Sequence, residues 1–159
     1  MRSGPEPFDR PDVQALAQAQ QAEMFELYEG EADIGPTREA AMFVEPDGAF
    51  LVVRDDAGRA IGCGGIARFD ESRGELKRMY VVPESRGRGL GRELLVALEA
   101  EAARLGYTSI VLETGDRQPE AVGLYVAFGY ERIPCYGIYA TRELSMCFEK
   151  PLVPGTSRA

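Results

Sequence analysis

Apolar positions recur along the chain in two periods, and the switches between them outline its elements. From Asp12 to Leu27, "DVQALAQAQQAEMFEL" spaces its apolar residues as a helix does, with Asp12 as the expected N-cap just after Pro11. "YEGEADIGPT" then breaks the regularity, and a short helix is expected around "REAAMF". "GAFLVVRDDAGRAIGCGGIARF" holds two β-type runs joined by "DDAG", a hairpin signal. Its glycines Gly62, Gly64 and Gly65 suggest a bulge or the close approach of another backbone.

"GELKRMYVV" reads as a further strand, and "RELLVALEAEAARLG" as the clearest helix, with Leu94, Leu95, Leu98, Ala102 and Leu105 on one face and Gly106 as its stop. "TSIVLET" is the continuous apolar strand expected inside a parallel pair. "PEAVGLYVAFG" is another helix, opened by Pro119 and ended by Gly129. Two β-like runs, around "YERIPCYGIYA" and "LSMCFEK", close the domain, and the tail after Leu152 is expected to fray. The segment from Met79 through Glu113 makes one right-handed βαβ crossover, while the flanking hairpins demand antiparallel pairing. An α/β (α+β) fold follows: a mixed, mostly antiparallel sheet with one parallel strand pair and helices on both faces. The expected organisation is one domain over residues 1–159.

Composition narrows the chemistry. There is no histidine, which removes His-dependent triads and His-ligated metals, so proton transfer falls to carboxylates, Tyr, Cys, Lys or water. A net charge of -8 argues against a nucleic-acid partner, whose phosphates demand a basic face. No apolar run approaches membrane-spanning length and the N-terminus lacks a leader pattern, so neither membrane nor export is expected and the protein is placed in the cytoplasm. Cys63, Cys135 and Cys147 are scattered and odd in number, and read as free core thiols rather than a bridge or a metal site.

The most informative stretch is "VVPESRGRGLGRELL". Gly87, Gly89 and Gly91 are poor helix starters unless something needs the exposed amides at a helix N-terminus, where N–H groups lack intrahelical partners and the dipole is positive. With Arg86, Arg88 and Arg92 alongside, the loop reads as a phosphate or pyrophosphate cradle. A Walker loop is excluded because no Gly-Lys-Ser/Thr follows. A dinucleotide turn fails as well, since Arg92 stands where a third small residue belongs and the approach from the strand is too long.

From Ala49 to Lys150 the chain resembles the GNAT superfamily of N-acetyltransferases, most densely between Glu75 and Tyr130. The family's signature, Arg/Gln-x-x-Gly-x-Gly/Ala after a strand, stands here as Arg86-Gly87-Arg88-Gly89-Leu90-Gly91, and "LYVAFGYERI" follows at the family's distance. The resemblance implies acetyl-CoA as co-substrate and no metal. It implies that the amides from Gly87 through Gly89, Leu90 and Gly91 to Arg92 hold the pyrophosphate, with Arg86 opening the turn. It also implies that Met79, Tyr80 and Val81 offer main-chain groups to the pantetheine arm, like a pseudo-strand. Gln118 stands where many relatives carry an asparagine that contacts the cofactor.

The implied reaction is direct attack of an amine on the acetyl thioester, with departure of the thiolate. Tyr125 matches the family tyrosine beside the sulfur, a general acid. Two carboxylates compete for the base: Glu75, before the cofactor-binding strand, and Glu113, at the end of the adjacent one. A water chain without a dedicated base is the third option. The resemblance implies that the acceptor, a primary amine of a small molecule or peptide, is held by the first helix with its loop "ELYEGEADIG" and by the last hairpin "RIPCYGIYATRELS". The carboxylates Glu26, Glu29, Glu31 and Asp33 with Tyr28, Tyr136 and Tyr139 would favour a cationic amine, whereas a carboxylate-bearing acceptor would require Arg132 or Arg142. The family's first strand is weak or lost in "MRSGPEPFD", and the expected state is a monomer or homodimer. Two rival readings stay open: a non-catalytic acyl-CoA-binding module and, more remotely, a nicotinamide-dependent oxidoreductase.

Overall fold

The computed structural model describes residues 1–28 and 39–152. In chain order these form β1 (Arg2–Pro5), α1 (Pro11–Leu27), α2 (Glu39–Met42), β2 (Ala49–Arg54), β3 (Ala60–Arg68), β4 (Arg73–Val81), α3 (Leu90–Arg104), β5 (Ser109–Gly115), α4 (Pro119–Ala127), β6 (Glu131–Ile133) and β7 (Ser145–Pro151). The seven strands make one mixed sheet in the order β1-β2-β3-β4-β5-β7-β6. Every pairing is antiparallel except β4 with β5, the two strands joined through α3. That is the mostly antiparallel sheet with one parallel pair expected from the pattern.

Two glycines show how helices come to lie on both faces. Consecutive strand residues face opposite ways. A Cβ on Gly64 would press on Leu98 of α3 at 2.7 Å, and one on Gly65 would run into the ring of Phe43, the residue after α2. Leu94, Leu95 and Leu98 of α3 are fully buried against one face, each worth about 2 kcal/mol in transfer from water. On the other face Phe43 meets Phe8 and Phe50, with ring centroids 4.8–5.2 Å apart. β2 is buried along its whole length, as a strand covered from both sides must be.

Three features depart from the sequence reading. First, β1 is present at Arg2–Pro5 and pairs with β2 from Arg2↔Arg54 to Pro5↔Leu51. An exposed edge strand is held by main-chain bonds and needs no apolar alternation, so its sequence gave no signal; Pro5 is tolerated there for the same reason. Second, Arg10 rather than Asp12 caps α1, and Pro11 occupies its first turn. The Asp12 carboxylate is drawn instead to the buried guanidinium of Arg54, 2.6 Å away, which also grips Glu6 at 2.7 Å. Third, Cys135 and Cys147 form a disulfide, leaving Cys63 as the free, buried cysteine. Pairing of Ile133 with Cys147 brings Cys135, two residues further on, to a Cα–Cα separation of 5.1 Å, inside the range a bridge spans. Sequence spacing could not reveal a contact created by the β6–β7 register. Burial pushes the Cys63 thiol up to about 12, leaving it protonated and unreactive.

Candidate active site

The site begins where the parallel pair comes apart. β4 and β5 are in register from Arg73↔Ser109 to Leu76↔Leu112 and no further. Beyond that point β5 stays with β7 through Gly115↔Ser145, while β4 stays with β3 through Val81↔Gly62. The two strands are therefore pulled apart by their outer neighbours, and a wedge opens between them. β4 also carries a bulge: between Lys77↔Gly65 and Tyr80↔Cys63, Arg78 and Met79 oppose Gly64 alone. Arg78 takes φ 60°, a left-handed conformation that a non-glycine residue adopts at a cost of about 1 kcal/mol or more. The bulge re-aims the strand at the mouth of the wedge.

Below the wedge, β4 runs through a short 3₁₀ turn (Pro83–Ser85) into the glycine-arginine loop and α3. Gly87 and Gly89 have φ of 80° and 79°, with open space where a Cβ would stand. Among the described residues, none accepts a hydrogen bond from the main-chain N–H of Gly87 through Arg92; the ladder of α3 starts with Glu93 N–H to Gly89 O at 3.1 Å. These unpaired amides, the glycine cradle and the positive end of α3 border a cavity of about 570 Å³ that also takes in Met79, Tyr80, Val81 and Tyr125. The cradle thus fits a pyrophosphate. Arg86 faces elsewhere than a phosphate ligand would suggest. Its Nε donates to Val81 O and its Nη2 to the Glu23 carboxylate, each at 2.9 Å, so it ties α1 to the end of β4. Arg92 stacks over the Phe128 ring. The carbonyl of Met79 accepts from the Gln20 side chain at 3.1 Å, so the main chain of the pseudo-strand is already engaged from α1.

A second cavity of about 430 Å³ is lined by both β4 (Glu75 to Met79) and β5 (Glu113 to Gly115), where the two strands diverge. Gln20, Met24, Met79, Gln118 and Tyr125 border both, so the two cavities are neighbours with a shared wall. Tyr125 sits at this junction on α4, 6% exposed, its hydroxyl 3.7 Å from Met79 Sδ. Burial first, and the Glu113 carboxylate second, push its phenol well above the usual tyrosine range.

Both candidate bases border the second cavity. Glu113 accepts from Ser145 Oγ at 2.8 Å, and burial raises its carboxyl above the ordinary value, opposed by Ser145, Arg142 and Lys77. Glu75 accepts from the Tyr136 hydroxyl at 3.1 Å and lies 3.6 Å from Lys77 Nζ. Gln118 caps α4 and donates to the Tyr28 hydroxyl at 3.4 Å, facing both cavities. Of the expected acceptor residues, Tyr28, Tyr139 and Arg142 line the second cavity, whereas Arg132 stacks over Phe148 outside it. Glu26 is exposed; Glu29, Glu31 and Asp33 lie outside the described residues, as does the tail 153–159.

The first helix was expected at the acceptor side through Glu26 and Tyr28, and α1 with its cap Tyr28 does wall the site, but Gln20 and Met24 were missed. Gln20, Met24 and the cap residue Tyr28 follow one another at helical spacing, but their mixed polarity carries no apolar signature. The bulge suggested by the glycines of β3 falls opposite Gly64, though the extra residue is on β4, where Arg78 and Met79 gave no signal.

The mixed sheet thus opens between its parallel strands, with bare helix-start amides on one side and carboxylates near a buried tyrosine on the other. The chain belongs to the Acetyltransferase (GNAT) family, whose pattern matches residues 13–130. It is 42% identical over 109 residues to a protein named IAA acetyltransferase from Azospirillum brasilense, covering 68% of this chain and 71% of that one. Further curated relatives are matched over about half of their length, 56%. A solved structure from Klebsiella pneumoniae, assigned as an acyl-CoA N-acyltransferase, superposes with a TM-score of 0.80 at 32% identity over 96% of this chain and 97% of that one. A GNAT family acetyltransferase from Elizabethkingia anophelis, solved with acetyl-CoA bound, shares the fold at a TM-score of 0.68 and 16% identity over 95% and 97% of the two chains. No helix among the described residues is long and apolar enough to cross a membrane.

Proposed function

We propose that the protein is an acetyl-CoA-dependent N-acetyltransferase that acetylates a primary amine of a small molecule or peptide. The observation that carries this reading is the pairing of two neighbouring cavities, one lined by amides and one by carboxylates, that share Tyr125. Bound at the loop, acetyl-CoA would supply the activated acetyl thioester. The amides of Gly87 to Arg92 hold the diphosphate, and the Met79–Val81 main chain lies along the arm that leads to the wedge. Gln20 must release the Met79 carbonyl or share it.

Tyr125 is the general acid, protonating the departing sulfur. Glu113 is the base, taking a proton from the incoming ammonium or from a water between them. Its raised pKa brings it nearer neutrality than an exposed carboxylate, which suits proton abstraction at physiological pH. Glu75, bonded to Tyr136 and Lys77, positions the acceptor side of the wedge. One domain spanning residues 1–159, working in the cytoplasm where acetyl-CoA is made, completes the reading.

Two measurements test it. Titration calorimetry is expected to show saturable binding of coenzyme A, and a thiol-release assay with acetyl-CoA and an amine panel is expected to give amine-dependent turnover. Absence of coenzyme A binding removes the proposal; binding without turnover on any amine reduces the protein to a carrier of the same fold.

A further inference from the structure

The carbonyls of Met79 and Val81 leave β4 by the same edge. A trans peptide points its C=O away from the N–H of the next residue. Val82 N–H donates to Ile61 O of β3 at 2.9 Å, so Val81 O points to the opposite edge. Alternation along β4, paired with β3 at Val81↔Gly62 and Tyr80↔Cys63, turns Met79 O the same way. That edge is the one β5 has left after Leu76↔Leu112. With no strand beside them, both carbonyls are capped by side chains: Gln20 Nε2 donates to Met79 O at 3.1 Å, and Arg86 Nε to Val81 O at 2.9 Å.

The two caps differ in strength. Arg86 is locked, its Nη2 2.9 Å from each Glu23 oxygen and its guanidinium stacked over the Tyr80 ring. Gln20 offers Met79 one neutral bond, weaker than a charge-assisted one, and ordering its long side chain offsets part of that gain. Its Oε1 rests 3.5 Å from Arg78 Nη1. The helix that carries it is fixed on both sides. Val13, Leu16 and Ala17 are buried before Gln20, and beyond it the Tyr28 hydroxyl accepts from Arg117 N–H at 3.1 Å. The Gln20 side chain can therefore yield while α1 stays in place. It also borders the loop-side cavity beside Met79, where the arm of coenzyme A would lie.

We propose that Gln20 is a stand-in for that arm: its side-chain amide holds the Met79 carbonyl in the free protein, gives it up to an amide N–H of the arm, and so sets how tightly coenzyme A is held. This deepens the N-acetyltransferase reading and rests on it. The arm carries amide N–H groups of the same kind as the glutamine's, so at Met79 binding exchanges one hydrogen bond for another instead of adding one. Val81 keeps Arg86. Gln20 is thus a positioning residue that weakens retention of the cofactor, and its return to Met79 favours departure of coenzyme A after transfer.

The test uses the full chain with coenzyme A itself as the probe, and compares wild type with Gln20→Met and Gln20→Ala. The first keeps the length without a donor; the second vacates the space. In both, calorimetric titration is expected to give a dissociation constant roughly fivefold lower than wild type, the worth of one neutral hydrogen bond. The ligand-free variants are expected to unfold about 2–4 °C below wild type, and the midpoints to converge at saturating coenzyme A, because the lost bond belongs to the free protein alone. A merely structural role for Gln20 predicts weaker binding together with lower stability. Glu23→Gln, which loosens the clamp on Arg86, is expected to lower the midpoint without tightening coenzyme A. Tightening there as well would assign the exchange to α1 as a whole and overturn the role of Gln20. Equal or weaker binding in both Gln20 variants overturns the inference and leaves the N-acetyltransferase reading standing. No binding of coenzyme A by wild type or variants removes both.

Discussion

The phenolic oxygen of Tyr125 and the sulfur of Met79 lie 3.7 Å apart, joining α4 to β4 at the meeting point of the two cavities. A weak sulfur acceptor is a poor permanent partner for a buried phenol, whose desolvation is costly. The hydroxyl is thus held where the two cavities adjoin, without a strong bond to give up. Replacing Tyr125 by Phe is expected to lower kcat by roughly tenfold or more while coenzyme A affinity stays within about twofold. A general acid works in its protonated form, and burial raises the Tyr125 pKa. The wild type should therefore lose no activity to ionisation of this group below about pH 10, the ordinary tyrosine value. Steady-state rates paired with calorimetry check both points; an unchanged kcat in Tyr125→Phe would remove the acid role.

Glu113 should show itself in opposite directions in activity and in stability. As a base it works ionised, and its raised pKa means that kcat/KM falls on acidification at an apparent pKa above that of an ordinary glutamate. For stability, a carboxyl whose folded pKa is raised favours its protonated form. Its contribution is greatest below the unfolded value near 4.3 and declines as pH rises through the folded value. Glu113→Gln is expected to lose activity and the acidic limb of the profile, yet to unfold at a higher temperature than wild type at pH 8, with the difference closing towards pH 4. Scanning calorimetry at the two pH values, beside the rate profile, checks the pair. A Glu75→Gln variant that abolishes the acidic limb while Glu113→Gln retains it would reassign the base.

How much of this was legible in the sequence depended on whether a signal was local. The β4–loop–α3 unit was readable because apolar periodicity, glycine placement and helix-start physics all act within twenty residues; the structure has its strand at Arg73–Val81 and its helix at Leu90–Arg104. Tyr125 came from the resemblance of "LYVAFGY" to the family's pattern, not from periodicity, and it borders both cavities. Illegible features were made by tertiary register. The glycines of β3 suggested a bulge, but that β4 carries it at Arg78, opposite Gly64, depends on how the two strands pair. The Cys135–Cys147 bridge exists because β6 lies beside β7. The Arg86 side chain pairs with Glu23, sixty-three positions away, rather than standing over the loop.

Gly89 should be the residue at which a single methyl is most informative. It caps α3 with φ 79° and ψ 9°, and nothing lies within 4 Å of the place its Cβ would take. Gly89→Ala therefore meets no clash, only the left-handed penalty of about 1 kcal/mol, which lowers Tm by about 2–4 °C in a domain of this size. The new methyl stands over amides meant for a diphosphate, so the dissociation constant for coenzyme A is expected to rise roughly tenfold, far more than that stability loss accounts for. Calorimetric titration of both proteins under one buffer decides it. Equal affinities would mean that the loop amides do not hold the ligand.

The disulfide should separate acceptor binding from cofactor binding. Cys135 and Cys147 bracket the segment that brings Tyr139, Arg142, Leu144 and Ser145 to the acceptor cavity, whereas no residue between them borders the loop-side cavity. Opening the bridge relaxes a closed loop whose restraint is worth on the order of 3 kcal/mol in the unfolded chain, and it loosens one wall of one cavity only. Cys135→Ser is the milder way to open it, because Cys147 stays behind as a fully buried thiol among apolar neighbours. The acceptor KM is then expected to rise several-fold, with coenzyme A affinity unchanged, and wild type treated with a thiol reductant should follow the variant. Mass spectrometry before and after reduction counts the bridge directly. A KM that stays constant while the bridge is demonstrably open would show that β6 and β7 hold the acceptor wall without it.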